Sequence, residues 1–125
     1  MRTVVVVVAH GSRLPAAMAA HQAVCDGLRK RLGGQASVEP AYLELTEPDI
    51  PSAIDGAVAD GADRIVVLPY FLHPGNHTLR DIPEVVEAAR SRHRGTVIDQ
   101  APMFGADPAL VDTLAAQVSV AVDST

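Results

Sequence analysis

The chain has 125 residues and a formal net charge of -5, a length that suits one domain over residues 1–125. Nucleic acid is excluded as the main partner, because binding to phosphates needs a basic surface. Hydrophobic residues make up 48% of the chain but aromatic residues only 3%, so the core has to be built from Val, Ala, Leu and Ile in packed layers of strands and helices.

The single cysteine, Cys25, cannot form an internal disulfide, which favours a reducing compartment and hence a cytoplasmic location. The apolar run from Val4 to Ala9 is short for a signal peptide, and no small-residue cleavage pattern follows it. No apolar run approaches the ~20 residues that a membrane-spanning helix requires. We therefore expect no membrane partner.

The first strand is predicted over Thr3 to Ala9, a β-branched run that is apolar on both faces, as in the centre of a parallel sheet. His10-Gly11-Ser12 ends this strand, and Ser12 is placed to cap the next helix, which is predicted over about 15–32. The apolar stripe of that helix is predicted at Ala17, Ala20, Val24, Leu28 and Leu32.

The second strand is predicted over Ala36 to Leu43 and ends at Glu44. A turn over Thr46 to Ser52, which contains two prolines, leads into a short helix that runs to about Asp60. The third strand, Ile65 to Tyr70, is again apolar on both faces and belongs in the middle of the sheet.

The loop after the third strand carries His73 and His77, and Asp81 is predicted as the N-cap of a helix that runs to about His93. A short fourth strand, Thr96 to Asp99, is predicted at an edge of the sheet. The last helix starts at Asp107-Pro108. Its apolar stripe fits burial against the sheet, either alone or together with a partner chain, and contains Leu110, Leu114, Val118 and Ala121.

The alternation of strands and helices predicts an α/β fold, a doubly wound four-stranded parallel sheet of order 2-1-3-4 with helices on both faces. Ligands of such sheets bind outside the carboxyl ends of the strands, where the strand order reverses. Here that point lies between the first and third strands. The topology therefore brings His10, Glu44 and the loop of His73 and His77 to one edge of the sheet.

Two imidazoles and a carboxylate are a suitable ligand set for a divalent first-row transition metal. Three protein ligands leave coordination positions open, which suits metal transfer or catalysis better than a closed structural site. Of the two loop histidines, His73 is the weaker candidate ligand. Each residue also has a plainer explanation: His10 could bond to backbone at a strand end, His77 could be an exposed loop residue, and Glu44 could be a solvated charge.

Other reactive side chains are assigned structural roles. His21, in the middle of a helix, and His93, near a helix end, are expected at the surface, and Cys25 is expected to be buried and unreactive. Arg13 and Arg80 flank the two histidine-bearing strand ends, where they could pair with the carboxylates of a ligand or form surface ion pairs of little consequence. No phosphate-binding glycine motif is present, so neither ATP nor a dinucleotide is indicated.

Three stretches together resemble the small class II tetrapyrrole chelatases of the CbiX type, the sirohydrochlorin cobaltochelatases and ferrochelatases. They are AHGSR at Ala9 to Arg13, YLELTEPDIP at Tyr42 to Pro51, and VVLPYFLHPGNHTLRDIP at Val66 to Pro83. They keep the order and approximate spacing of the family, and the resemblance covers nearly the whole chain.

The resemblance implies a chelatase fold and the insertion of a divalent metal into sirohydrochlorin without ATP, in cobalamin or sirohaem biosynthesis. Co2+ is the preferred candidate for the metal, and Fe2+ and Ni2+ are the alternatives. It implies that His10 and His77 are catalytic and bind the metal, together with Glu44. The choice of His77 over His73 depends on the Gly-x-His-x-x-x-Asp-Ile-Pro pattern. Ser12, Arg13 and Arg80 are expected to contact sirohydrochlorin.

No cofactor beyond the substrate metal is expected. Longer relatives contain two such domains in one chain, so the resemblance also implies a homodimer of this chain. Two alternatives remain open at this point. A non-catalytic carrier of metal or tetrapyrrole would use the same binding residues, and a small hydrolase could use an open His and carboxylate site to activate water.

Overall fold

The computed structural model describes residues 1–76 and 80–123. Its helices and strands follow the predicted order, and their ends differ from the predicted ones by one or two residues, except that the second helix begins at Ile50, inside the predicted turn. The elements are β1 (Thr3–Ala9), α1 (Pro15–Leu32), a 3-10 turn (Gly33–Gln35), β2 (Ser37–Tyr42), α2 (Ile50–Ala59), β3 (Arg64–Pro69), α3 (Ile82–Arg92), β4 (Val97–Gln100) and α4 (Pro108–Asp123).

The four strands form one parallel sheet of order β2-β1-β3-β4, which confirms the predicted topology. The central strand β1 pairs with both neighbours, so that Val5 lies opposite Val38 on one side and Val66 on the other. Pro40 lies in β2, an edge strand, where a residue without an N–H group is tolerated.

The larger core lies on the face of the sheet covered by α2 and α3. Right-handed crossovers explain this arrangement, because the chain moves across the sheet in one direction through α2 and α3 and in the opposite direction through α1. Fully or almost fully buried side chains on this face include Val6, Val8, Ile54, Ile65, Ile82 and Val86.

The smaller core lies on the opposite face, where α1 covers β1 and β2. It consists of Val5, Val7, Cys25 and Val38. Cys25 is 0% exposed, as predicted, and burial raises the pKa of its thiol, which keeps the thiol protonated and unreactive.

The stripe by which α1 packs on the sheet differs from the predicted one. His21 and Cys25 are its buried residues, whereas Ala17 and Ala20 are exposed. The prediction that His21 lies at the surface is therefore wrong, since this residue is 5% exposed. The correct stripe has the regular spacing of a packed helix face: Met18, His21, Cys25, Leu28 and Leu32.

One of the predicted helix caps is also wrong. Leu14, not Ser12, occupies the N-cap position of α1, and no side chain caps that helix. Asp81 occupies the N-cap position of α3, as predicted, but its side chain makes no cap hydrogen bond, and residues 80 and 81 lie in a π-helical turn. In α2, by contrast, the Asp49 carboxylate accepts a 2.9 Å bond from Ser52 N, and the hydrogen bonds from Ser52 lower the pKa of that carboxyl.

The last helix does not pack on the sheet, contrary to expectation. No residue of α4 from Pro108 to Asp123 is buried, and Val111, Leu114 and Val118 are 56% to 63% exposed. None of the helices within residues 1–76 and 80–123 is long and apolar enough to cross a lipid bilayer.

Candidate metal site

The site begins where β1 and β2 end. The hydrogen-bond ladder between these strands continues into the loops, since Leu43 N donates to Ala9 O and Glu44 N donates to His10 O, each at 3.0 Å. These bonds fix the backbone of His10 against that of Glu44. The two side chains therefore emerge together from the edge of the sheet at which the strands end, its carboxyl edge.

The close approach of the two loops requires glycine at position 11. Gly11 has φ 104°, and a Cβ atom there would lie 1.8 Å from the carbonyl oxygen of Glu44. Glu44 itself begins a three-residue turn, in which Thr46 N donates to Glu44 O at 2.8 Å and Leu45 has φ 68°. A non-glycine residue with such a φ stores strain, which is a common feature of functional loops.

Thr46 fastens the second loop to the first. Its hydroxyl donates a 2.9 Å hydrogen bond to Ser12 O, and Ser12 N donates to Thr46 Oγ1 at 3.4 Å. The hydroxyl of Ser12 accepts a hydrogen bond from Leu14 N at 3.0 Å. The loop that carries His10 is therefore held by backbone and side-chain bonds on both sides.

The side chains of His10 and Glu44 are in direct contact. His10 Nε2 donates to Glu44 Oε1 at 2.7 Å, and the two side chains are 49% and 53% exposed. A cation that replaced the shared hydrogen would be held by an imidazole nitrogen and a carboxylate oxygen, a donor pair that divalent first-row metals accept. Because the pair faces solvent, such a cation would keep open coordination positions.

The third predicted ligand, His77, lies outside the described residues, so its role stays a prediction. His73 is described and is an exposed loop residue. Within the described part of the chain, no group of three or more His, Cys, Asp or Glu side chains is arranged to hold a metal ion. The structure thus brings two of the three predicted ligands together.

The predicted substrate-binding arginines lie at the surface. Arg13 and Arg80 are exposed, and neither forms an ion pair with any residue in the described ranges. The alternative that they form surface ion pairs is therefore not supported. Ser12, the third predicted contact, is half-buried and already bonded to Leu14 N.

Two hollows flank the pair of His10 and Glu44. The first, of about 180 Å³, lies beside His10 and reaches His21 and Tyr42. The second, of about 300 Å³, lies beside Glu44 and reaches Asp81 at the start of α3. The pair stands between two open spaces, so a flat ligand can approach it without displacing a buried side chain.

His21 forms part of the floor of the first hollow, and the sequence-based reasoning missed it. Its Nε2 donates to Val7 O at 3.0 Å, and its ring lies 5.4 Å from that of Tyr42 and 5.9 Å from that of Tyr70. The other ring nitrogen, Nδ1, is buried and has no hydrogen-bond partner among the described residues. Burial raises the pKa of the Tyr42 phenol, which therefore stays neutral.

A second group of charged side chains lies away from the site and links α2 to α3. His93 Nε2 and Arg92 Nη2 donate to Asp55 Oδ1 at 2.6 and 3.0 Å. Hydrogen bonds from His93 and Arg92 lower the pKa of the Asp55 carboxyl. His93 lies near the end of α3, as predicted, and acts there as a structural link.

Comparison with known proteins identifies relatives over most of the chain. A sirohydrochlorin cobaltochelatase of Methanopyrus kandleri is 40% identical over 82 residues, which are 66% of this chain and 57% of that protein. The chloroplastic sirohydrochlorin ferrochelatase of Arabidopsis thaliana is 36% identical over 91 residues, which are 73% of this chain and 40% of that protein. The chain thus spans about half the length of these relatives.

Among solved structures, the sirohydrochlorin chelatase SirB from Bacillus subtilis subspecies spizizenii, in complex with cobalt, superposes with a TM-score of 0.85. It is 29% identical, and the match covers 95% of this chain and 50% of SirB. The sequence model of the CbiX family matches residues 4–121. A chelatase fold and a match from the first strand to the last helix leave one conclusion: the chain belongs to the CbiX family.

Proposed function

We propose that this protein inserts one divalent metal ion into sirohydrochlorin without ATP. Co2+ is the preferred candidate for that metal, and Fe2+ and Ni2+ are the alternatives. The observation that carries the proposal is the contact of His10 with Glu44 at the carboxyl edge of the sheet, open to solvent. Relatives named as cobaltochelatases and ferrochelatases support the same reaction. Cobalt would place the protein in cobalamin biosynthesis, iron in sirohaem biosynthesis, and nickel in the synthesis of a nickel tetrapyrrole.

The metal is a substrate in this reaction and has to be released to the macrocycle. His10, Glu44 and His77 hold it at the open edge, where the tetrapyrrole can approach its free coordination positions. Insertion of a 2+ ion displaces two pyrrole N–H protons. Once the metal has moved to the macrocycle, the freed Nε2 of His10 accepts one of these protons and solvent takes the other, with Glu44 beside the imidazole to stabilise the imidazolium.

The carboxylates of sirohydrochlorin need cationic partners. Arg13, three residues after His10, and Arg80, at the start of the helical turn before α3, are exposed and unpaired with the carboxylates that the structure describes. The Ser12 hydroxyl accepts a bond from Leu14 N, so its own hydrogen can be donated to a substrate carboxylate.

We also propose that two copies of the chain associate. One copy matches 50% of SirB, so two copies together have the length of that relative. The absence of any cofactor other than the substrate metal and the cytoplasmic location stay predictions.

The experiment that tests the activity uses metal-free protein, sirohydrochlorin and each of Co2+, Fe2+ and Ni2+, followed by the absorption change of the tetrapyrrole. We expect insertion to be faster than the uncatalysed reaction with at least one metal. His10→Ala and His77→Ala should each lose most of this rate. His93→Ala, which removes a histidine remote from the proposed ligands, is the control and should keep most of it.

Three results would contradict the proposal. No acceleration with any of the three metals would exclude the chelatase activity. Full activity in both His10→Ala and His77→Ala would show that the site is elsewhere. With sirohydrochlorin in excess, a reaction that stops after one equivalent per protein would identify a carrier of metal or tetrapyrrole instead of an enzyme.

A further inference from the structure

The two hollows that flank the pair of His10 and Glu44 differ in charge. The first, of about 180 Å³, lies on the side of α1, and no carboxylate of the described residues lines it. The second, of about 300 Å³, lies on the side of α3 and is lined by the carboxylates of Glu44, Asp49 and Asp81. We call them the α1-side hollow and the α3-side hollow. A ligand with several anionic groups meets like charges only along the lining of the α3-side hollow.

Aromatic rings are concentrated on the α1 side of the carboxyl edge. The ring of His21 lies 5.4 Å from that of Tyr42 and 5.9 Å from that of Tyr70. Tyr70 in turn stacks on Phe104, with centroids 5.5 Å apart and an interplanar angle of 13°. We call these four residues the ring row. The chain has two Tyr and two Phe residues, and three of these four lie in the row. Rings gathered beside an open site are typical of a surface that binds a flat, apolar ligand.

The ring row is held in place from both sides. His21 Nε2 donates to Val7 O at 3.0 Å, which fixes the imidazole against the central strand. A Cβ atom on Gly105 would lie 1.8 Å from Leu72 O, so the segment that carries Phe104 is pressed against the loop after β3. The aromatic surface is therefore formed before a ligand arrives, and binding to it costs little conformational entropy.

We propose that the macrocycle of sirohydrochlorin binds on the α1 side of the pair of His10 and Glu44, with one face across the α1-side hollow and the ring row. Ala17, which is exposed and lines the hollow, and Tyr70, which is 43% exposed, contact that face. This inference rests on the proposed function. It adds the side on which the tetrapyrrole is bound and two residues that position it.

Size and charge both favour this placement. A hollow of about 180 Å³ is smaller than the ~300–1,000 Å³ of a pocket that encloses a drug-sized ligand, so the macrocycle lies across it and not inside it. The carboxylates at the rim of the macrocycle then stay in water, near the loop in which the exposed Arg13 follows the lining residue Ser12. On the opposite side, the same rim would face the carboxylates of the α3-side hollow.

The first test adds charge at Ala17 and measures the binding of sirohydrochlorin to the metal-free protein by fluorescence titration. Ala17→Glu should weaken binding by about fivefold or more and Ala17→Lys should strengthen it, because the new charge lies beside an anionic ligand. Ala19→Glu and Ala19→Lys are the matched controls at an exposed position on the opposite side of α1. They should change the dissociation constant by less than about twofold. Equal effects at the two positions would overturn the placement.

The second test removes the ring of Tyr70. We expect Tyr70→Leu to raise the dissociation constant for sirohydrochlorin by about fivefold or more, since the stacking contact is lost, and Tyr70→Phe to stay close to wild type. Titration with Co2+ is the readout that separates contact from structure, because both variants should bind Co2+ as the wild type does. A parallel loss of Co2+ affinity in Tyr70→Leu would show that the ring only supports the fold of the site.

The third test is a footprint of the bound macrocycle. Ala17→Cys and Ala19→Cys are labelled with N-ethylmaleimide with and without saturating sirohydrochlorin, while Cys25, which is 0% exposed, stays unlabelled. Sirohydrochlorin should slow the labelling of Ala17→Cys and leave that of Ala19→Cys unchanged. Unchanged labelling of Ala17→Cys would place the macrocycle elsewhere.

The three tests use no metal insertion, so they fail separately from the proposed activity. Tight binding that responds to Ala17 and Tyr70, without insertion of any metal, would support the binding surface and contradict the chelatase. Active insertion with binding that ignores both residues would overturn the binding surface alone. No binding of sirohydrochlorin to the wild-type protein would overturn both.

Discussion

A glycine controls the geometry of the candidate metal site. Gly11 has φ 104° and leaves no space for a Cβ atom against Glu44 O, so any side chain there must push the loops of His10 and Glu44 apart. We expect Gly11→Ala to lower Co2+ affinity at least tenfold and to destabilise the fold by about 1–3 kcal/mol. Titration calorimetry and urea unfolding measure the two effects.

Gly27→Ala is the matched control for this substitution. Gly27 lies in α1 at a point where an added Cβ atom has open space, so alanine there should stabilise the protein by up to about 1 kcal/mol. Equal effects of Gly11→Ala and Gly27→Ala on Co2+ affinity and on stability would contradict the role of Gly11 in holding the two loops together.

His21 is the buried polar residue behind the site. Its Nε2–H group supplies a hydrogen bond to Val7 O. We expect His21→Leu to lose about 1–3 kcal/mol of stability, because the donor disappears while the apolar volume is kept. His21→Gln, which retains an N–H donor at a similar reach, should lose less. Urea denaturation compares the variants, and a smaller loss for leucine than for glutamine would show that this bond has no stabilising role.

The contact of His10 with Glu44 could be predicted from the sequence, because parallel strands place their carboxyl ends at one edge. The roles of Gly11 and His21 could not be predicted in the same way. A positive φ and a close backbone approach depend on how two loops meet, and they leave no periodic pattern. His21 was recognisable only from its spacing relative to Cys25 and Leu28, because a histidine on a helix ordinarily indicates a surface position.

At the scale of elements, α2 and α3 are joined by one carboxylate. The pKa of Asp55 is lowered by bonds from His93 and Arg92, so its contribution to stability is present above the unfolded carboxyl pKa of about 3.9 and is lost as the pH falls through the lower folded value. Since the Asp55 side chain is 50% exposed, this contribution is about 0.2–1 kcal/mol.

Asp55→Asn should therefore lower the free energy of unfolding at pH 7 by that amount, and the difference from wild type should shrink as the pH falls below the unfolded carboxyl pKa of about 3.9. Urea unfolding at a series of pH values measures it. Glu87→Gln, which removes an ion pair within one turn of α3, is the control and should have a smaller effect. A difference that grew as the pH fell would contradict this account.

The order of the elements was predictable because β1 and β3 are short apolar runs and each α-helix has a proline in its first turn. The packing of α4 was not predictable. Its residues include an apolar stripe, but periodicity contains no information on whether that stripe packs on the sheet of the same chain. The stripe predicted for α1 was wrong by one residue in its first three positions for a related reason, since alanines occur on both sides of that helix, whereas Leu28 and Leu32 were placed correctly.

At the scale of the whole molecule, the net charge of -5 acts in opposite directions on the two proposed substrates. A negative protein attracts a divalent cation and repels a tetrapyrrole that carries several carboxylates. Salt screens both interactions, because the Debye length falls from about 30 Å at 0.01 M to about 8 Å at 0.15 M ionic strength. Over this range we expect kcat/KM for Co2+ to fall and kcat/KM for sirohydrochlorin to rise, each by a few-fold.

Steady-state rates with one substrate saturating and the other varied measure the two constants separately. Arg13→Gln, which makes the protein more negative beside the site, should steepen the rise for sirohydrochlorin. Lys30→Gln changes the net charge equally near the far end of α1 and should leave the slope closer to wild type. If both values of kcat/KM moved in the same direction with salt, the electrostatic field of the whole protein would not govern its encounter with the two substrates. Local contacts at the carboxyl edge of the sheet would determine that encounter instead.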